Sequence, residues 1–395
     1  VKTRRIYLAM GLFISVLGCA DFKGEESSLC MRNPAQCTDE PFVQLAAGDY
    51  HTLALRSDGT VWAWGDNSNS QLGAGTGIKG IEPVPVSGLK GVTALAAGEY
   101  HSVALDKDGN VWAWGSNASG QLGDGKAVAQ STPKQVPGLT NVIALSANTG
   151  YTLALRRDGT VWAWGTGIFG QDAQGEDRAQ RTPVQVPGLS DITAVAAGQN
   201  HSLALRRDKT VWAWGSNDYG QLGVEMGASQ TTPVQVPELA NVTALAAGLT
   251  HSLALRDDGT VWAWGNNEYG QLGDGTVENK STPVQVSKVT KVIALASTAE
   301  HAVALRSDGT VWAWGENTSG QLGTVNAEFG AEPELVPGLA NVKSVAVGYY
   351  HSVALTSNGA IWVWGDNSSG QFGSEPGGGQ ATPVQVSQLV ELPSP

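Results

Sequence analysis

A chain of 395 residues would ordinarily hold two or three domains, and at 41% hydrophobic and 15% charged it is too apolar for general disorder. Its 36 acidic against 24 basic residues give a formal net charge of −12, which argues against nucleic acid as a partner. With 51 glycines and few charges, the composition favours many tight turns between short strands over long surface helices.

At the start, Lys2, Arg4 and Arg5 precede the apolar run "IYLAMGLFISVL" (6–17), followed by Gly18 and Cys19. Twelve apolar residues are too few for a permanent membrane span, so residues 1–18 read as a signal peptide. The "VLGC" stretch resembles the lipobox of bacterial lipoproteins. That resemblance implies lipidation of Cys19 and a place on the cell envelope, at the periplasmic or surface side of the outer membrane, or outside the cell. The lipid would be the only membrane attachment, since no later stretch is long and apolar enough to cross a bilayer. Removing residues 1–18 takes away three basic groups and no acid, moving the formal net charge from −12 to −15.

Residues 19–41 form a tether. Cys30 and Cys37 lie in it, with six residues between them and no histidine nearby. In an exported chain they are expected to form a disulfide closing a small loop, and two thiols without a neighbouring His do not make a zinc site.

From Phe42 the chain falls into seven copies with a period of fifty. "VWAWG" stands at 61–65, 111–115, 161–165, 211–215, 261–265 and 311–315, and "IWVWG" at 361–365, together holding all 14 tryptophans. Each copy offers four candidate strands: an ALAAG-like run, an HSLAL-like run, VWAWG and a PVQV-like run. Asp-Gly between the second and third predicts a type I′ hairpin turn. In the fourth copy Asp208-Lys209 places a non-glycine there, at a cost of roughly 1 kcal/mol. Pro133, Pro183, Pro233 and Pro283, expected at the start of the fourth strand, suit an outer edge. Alanine and glycine crowd the first strand, which suits an innermost position.

The reading is all-β: a seven-bladed β-propeller of four-stranded blades over residues 42–389, with 390–395 as a tail. Trp62 and Trp64, two apart on one strand, share a face that a single blade cannot bury; against a neighbouring blade each indole removes on the order of 200 Å² from water. "SQLVEL" (387–392) leaves two closures open: seven self-contained blades, or a closing blade shared between the chain ends.

The recurring text H-[ST]-[LV]-A-L-x-x-D-G-x-V-W-A-W-G-x-N-x-x-G-Q-L-G resembles the regulator-of-chromosome-condensation repeat family of propellers. The resemblance implies the fold strongly and an activity weakly. Guanine-nucleotide exchange, an activity found in the family, is the alternative function it implies, and no exchange residue carries over individually.

All six histidines (His51, His101, His201, His251, His301 and His351) share one register, with Tyr151 in the third copy. Equivalent positions on different blades are a blade spacing apart, too far to share one ion, so each imidazole is expected to bond turn backbone within its own blade. No metal, cofactor or catalytic cluster is expected, because almost every polar residue belongs to the repeat and catalysis needs unlike groups converging once.

The seven internal copies separate a constant hairpin face from a variable face. The variable one carries Tyr50, Tyr100, Tyr349 and Tyr350 between the first and second strands, and Phe169, Tyr219 and Tyr269 between the third and fourth. Rigid aromatics with small polar neighbours suit recognition of a protein or glycan. The function read from the sequence is therefore a non-catalytic, lipid-anchored scaffold that binds such a partner through these residues.

Overall fold

The computed structural model describes residues 41–76, 80, 82–166, 179–325 and 328–386. The signal peptide, Cys19, Cys30, Cys37, Phe169, the tail and the "SQLVEL" stretch all lie outside the described residues. Within them, strands form seven antiparallel sheets of four, each made of consecutive strands. Blade 1 comprises Phe42–Ala47, His51–Arg56, Val61–Gly65 and Val84–Pro85, and blade 7 comprises Val342–Val347, His351–Thr356, Ile361–Asn367 and Gly377–Gln385.

The first strand of every blade lines a central cavity of about 170 Å³, bounded by residues such as Ala46, Ala96, Ala147, Ala196 and Ala246. Seven strands crowd this axis, so short side chains face it. The fourth strand is the outer edge, as its proline requires, but it begins three residues before that proline. Pro133 lies within Gln130–Gln135, inside an irregular stretch where Ala113 opposes Lys134 and Gly115 opposes Gln130. A bulge on an edge strand tolerates a residue without an N–H.

The hairpin differs from the expected type I′ turn. Gly59 N donates to Arg56 O at 3.0 Å, and of the Asp58-Gly59 pair only Gly59 has a positive φ, at 84°. The loop is thus a three-residue connection ending in a left-handed residue. Asp58 keeps an ordinary φ because it does another job: its Oδ1 accepts from Thr60 N at 2.8 Å and Thr60 Oγ1 at 2.7 Å. The exception expected in blade 4 is present, with Lys209 at φ 69°.

Hydrophobic clusters straddle blades. One joins Leu153, Leu155, Val161 and Ala163 of blade 3 to Ala204 and Trp214 of blade 4, with Trp212 packed alongside. The second tryptophan of each pair (Trp64, Trp114, Trp164, Trp214, Trp264, Trp314, Trp364) is fully buried. Truncating such a side chain costs about 3–5 kcal/mol. The first of each pair is more open, and in blades 1 and 3 to 6 it is covered by its own blade's arginine: the guanidinium of Arg256 lies 3.9 Å from the Trp262 ring centroid, and that of Arg206 4.3 Å from Trp212. In blade 2, where Asp106 replaces the arginine, its carboxylate instead accepts from Trp112 Nε1 at 3.0 Å.

A polar belt lies beneath the indoles. Gln71 O accepts from Trp114 Nε1 and from Ser102 Oγ of the next blade, both at 2.8 Å. Because that hydroxyl donates to the carbonyl, it accepts from His51 Nε2, 2.9 Å away. The histidines therefore bond across to the following blade, which corrects the expected contact within each blade. His101 reaches Thr152, His201 reaches Ser252 and His301 reaches Ser352. Tyr151 fills the vacant register by donating to His201 O at 2.6 Å, and lies 3.1 Å from Ser202 Oγ. In blade 6 Ala302 lacks the hydroxyl, and Ser297 on the adjoining inner strand takes over, 3.0 Å from His251 Nε2.

The same contacts close the ring. Trp64 Nε1 donates to Gln371 O at 2.8 Å, His351 Nε2 lies 3.2 Å from Thr52 Oγ1, and Lys343 Nζ donates to Phe42 O at 2.9 Å. Among the described residues each blade is self-contained, so closure uses a seventh copy of the inter-blade junction and no shared sheet.

Burial pushes the imidazoles down, to about 3 for His51, His101, His251 and His301 and about 4 for His201 and His351. In the unfolded chain they titrate near 6.5. Between these values the unfolded chain binds more protons, so stability is complete above about pH 6.5 and declines as pH falls toward 4. Each histidine contributes a slope on the order of 1.4 kcal/mol per pH unit in that window. Urea midpoints measured from pH 7.5 down to 4.5 should fall steadily; a flat profile would contradict neutral buried rings.

Candidate functional site

The variable face is built on a repeated loop, close to N-x-x-G-Q-L-G in six of the seven copies, that follows the third strand; the third copy reads GIFGQDA. Asn117 Oδ1 accepts from Leu122 N at 3.1 Å, and Gln121 Oε1 accepts from Ser119 N at 2.9 Å. The loop also presents the Gln carbonyl to the next blade. Gly73 shows how tight this junction is: a Cβ there would sit 2.6 Å from Trp114 Nε1. With its interior residues so committed, the loop has only its outward positions free to vary.

Tyr219 and Tyr269 occupy one such position. Their backbone N–H groups are held by Gln221 Oε1 at 3.0 Å and Gln271 Oε1 at 2.9 Å, and their side chains project with 37% and 41% exposure. The loops between first and second strands bring four more tyrosines together where blades 7, 1 and 2 meet. Tyr50 and Tyr100 stack with ring centroids 5.9 Å apart and planes 18° apart. Tyr349 and Tyr350 meet edge to face at 4.4 Å and 64°. Burial first, then the charge of Glu316 on the neighbouring third-strand end, raises the Tyr350 hydroxyl. Tyr219 stands one blade away from Tyr269 and makes no ring contact with another aromatic among the described residues. Phe169 cannot be placed beside them, as it is outside those residues.

Carboxylates are interleaved with these rings, and reading the tyrosines alone misses them. Asp49 is buried, and burial first, then the charge of Glu99, pushes its carboxyl up to about 7. Burial also raises Glu99, which the Tyr100 hydroxyl partly offsets by a hydrogen bond. Glu300 is raised to about 7, again chiefly by burial. Its Oε1 accepts from Thr250 Oγ1 at 3.2 Å and its Oε2 from Gln271 Nε2. Glu300 Oε2 lies 3.9 Å from His251 Nδ1, but burial keeps that imidazole neutral, so the contact is not an ion pair. Among the described residues of the loops on this face, the only Lys or Arg is Lys126, which lies on blade 2 beside Asp124. The arginines of the repeat sit at the opposite end, over the outer tryptophans.

Comparison with known proteins matches this architecture. A family model described as RCC1-like domain matches residues 139–393, and models of the regulator of chromosome condensation (RCC1) repeat match 42–71 and 92–121, and 58–105 and 108–155. The chain belongs to the RCC1-like family. Among curated relatives, the RCC1 domain-containing mitochondrial protein RUG3 of Arabidopsis thaliana is 36% identical over 76 residues, 19% of this chain and 17% of that protein. The human probable E3 ubiquitin-protein ligase HERC6 is 41% identical over 59 residues, 15% of this chain and 6% of that one. The chain thus spans only a small part of these relatives.

Among solved structures, Prp20p of Saccharomyces cerevisiae superposes with a TM-score of 0.74 at 26% identity, covering 88% of each chain. Human WBSCR16 gives 0.73 at 26% identity, covering 83% of this chain and 94% of that one. The Prp20p structure was described together with its binding to Gsp1p and histones, and a second structure of it with bound Kap60.

In this RCC1-like propeller the raised carboxyl of Asp49 works against stability at neutral pH. A folded pKa near 7 against about 4 unfolded means that stability is complete below about pH 4 and is lost as pH rises through 7. The sign is opposite to that of the histidines. Asp49→Asn should raise stability by on the order of 2 kcal/mol at pH 8 and leave it nearly unchanged at pH 4, as read by urea unfolding at the two pH values.

Proposed function

We propose that this chain is a non-catalytic scaffold, anchored to the cell envelope by a lipid on Cys19, that holds a protein partner on its variable face. The observation that supports this best is the cluster of half-exposed tyrosines where blades 7, 1 and 2 meet, extended by Tyr219 and Tyr269. Tyrosine offers a large, rigid contact area with little side-chain entropy to lose, which is the chemistry of a recognition surface. A closed ring of interlocked blades keeps such a surface preorganised, and preorganisation lowers the cost of association. Protein binding by the similar Prp20p agrees with this use of the fold, without identifying the partner here. Exchange-factor activity, the alternative implied by family membership, has no individual residue to support it.

Two experiments test the two halves of this reading. Changing Phe169, Tyr219 and Tyr269 together to alanine should reduce capture of a partner from envelope extracts at least tenfold while leaving the thermal transition in place. Unaltered capture would remove these residues from the site. Separately, cells expressing the full chain should incorporate a radiolabelled fatty acid into it, and Cys19→Ser should abolish the label; label retained on the variant would exclude the anchor.

A further inference from the structure

The tyrosine cluster has a charge character that narrows what it takes. Asp49 is only 6% exposed, yet its carboxylate receives no hydrogen bond and no ion pair from any described residue. A carboxylate set this deep is costly to ionise without a cation beside it. Beside it stands Glu99, half-exposed, a second carboxylate without a cation. The stacked Tyr50 and Tyr100 flank the pair: Tyr100 feels the charges of both Glu99 and Asp49, as does Tyr50, and Tyr349 from blade 7 also feels Asp49. The nearest structural precedent within the molecule is on the other face, where guanidinium groups cover the outer indoles.

Resting on the protein-binding reading above, we propose that the junction of blades 7, 1 and 2 on the variable face receives an arginine side chain of the partner protein. Asp49 and Glu99 supply the charge, and Tyr50 and Tyr100 supply aromatic surface beside it. A guanidinium suits this arrangement for two reasons. Its planar fork of N–H donors can serve two carboxylates, and its weakly hydrated face stacks on aromatic rings. Among the described residues of these loops the one basic side chain, Lys126, lies beside Asp124, which leaves the Asp49 and Glu99 charge open to a basic partner whose encounter it accelerates.

The test uses the full chain and a displayed library of random twelve-residue peptides, selected first on the unaltered protein. Selected peptides should carry arginine, and replacing that arginine by alanine should weaken binding at least tenfold. Asp49→Asn with Glu99→Gln should weaken the same peptides at least tenfold, and Tyr50→Leu with Tyr100→Leu several-fold. Asp158→Asn with Asp308→Asn removes the same charge from the hairpin face, where Asn358 already serves the turn, and should leave affinity within twofold. Equal losses from the two carboxylate pairs would reduce the effect to overall charge and overturn the site. Peptides without arginine that survive Asp49→Asn/Glu99→Gln but are lost on Tyr219→Ala/Tyr269→Ala would overturn the arginine anchor while leaving the binding face intact. Peptides indifferent to every variant on this face would overturn both.

Discussion

Most of the ring depends on one backbone carbonyl per junction. In six of the seven junctions the Gln backbone oxygen of the N-x-x-G-Q-L-G loop accepts the indole N–H of the next blade at 2.8–2.9 Å. The residue in this register in the third copy, Gln171, falls outside the described residues, and Trp214 Nε1 is buried with no partner among the described residues. Where the next blade's Ser or Thr hydroxyl also donates to that oxygen, the hydroxyl in turn receives the histidine N–H. A buried indole N–H or imidazole N–H without a partner would cost on the order of 1–3 kcal/mol, so the junction ties polar satisfaction to correct docking of the blades. Hydrophobic burial drives the blades together, and this bonded set decides their angle and register.

That arrangement explains why the two faces differ. The loop that carries the Gln carbonyl is held from inside by its own Asn and Gln side chains, so its interior residues cannot change without losing an inter-blade bond. Its outward positions carry no such duty. The short turn between first and second strands is likewise fixed at its edges, since the histidine that ends it belongs to the belt, and is free in the two residues before. Tyrosines and carboxylates have accumulated at these unconstrained positions, and the closed ring brings copies distant in the chain side by side. Blade 7 meets blade 1, so Tyr349 and Asp49 become neighbours across 300 residues.

Substitutions within the belt show how firmly the junction is required. Tyr151 replaces a histidine and reaches the following blade with its longer side chain, and Ser297 supplies from the inner strand the hydroxyl that Ala302 lacks. Neither repair was legible in the linear text, because each depends on which atom of the next blade lies within reach. The histidine partners were misread for the same reason: a period of fifty shows that a residue recurs, but not whether its contact is within one copy or between two. The turn was misread locally. Asp-Gly has more than one hairpin solution, and the Asp58 carboxylate, bonded to Thr60, favours the three-residue loop with only Gly59 left-handed.

Sequence alone determined the strand count, the ring of seven, the alanine-lined axis and the burial of the tryptophans, because alternation and a fifty-residue repeat are properties of consecutive residues. It also separated constant from variable loops, since each copy serves as a control for the others. Only the tertiary structure decided that closure needs no shared sheet, that the histidines face forward into the next blade, and that Asp49 and Glu99 stand unneutralised beside stacked tyrosines. Those facts depend on distances between blades, and Coulomb energy and hydrogen bonding follow distance in space, which the order of residues along a chain does not record.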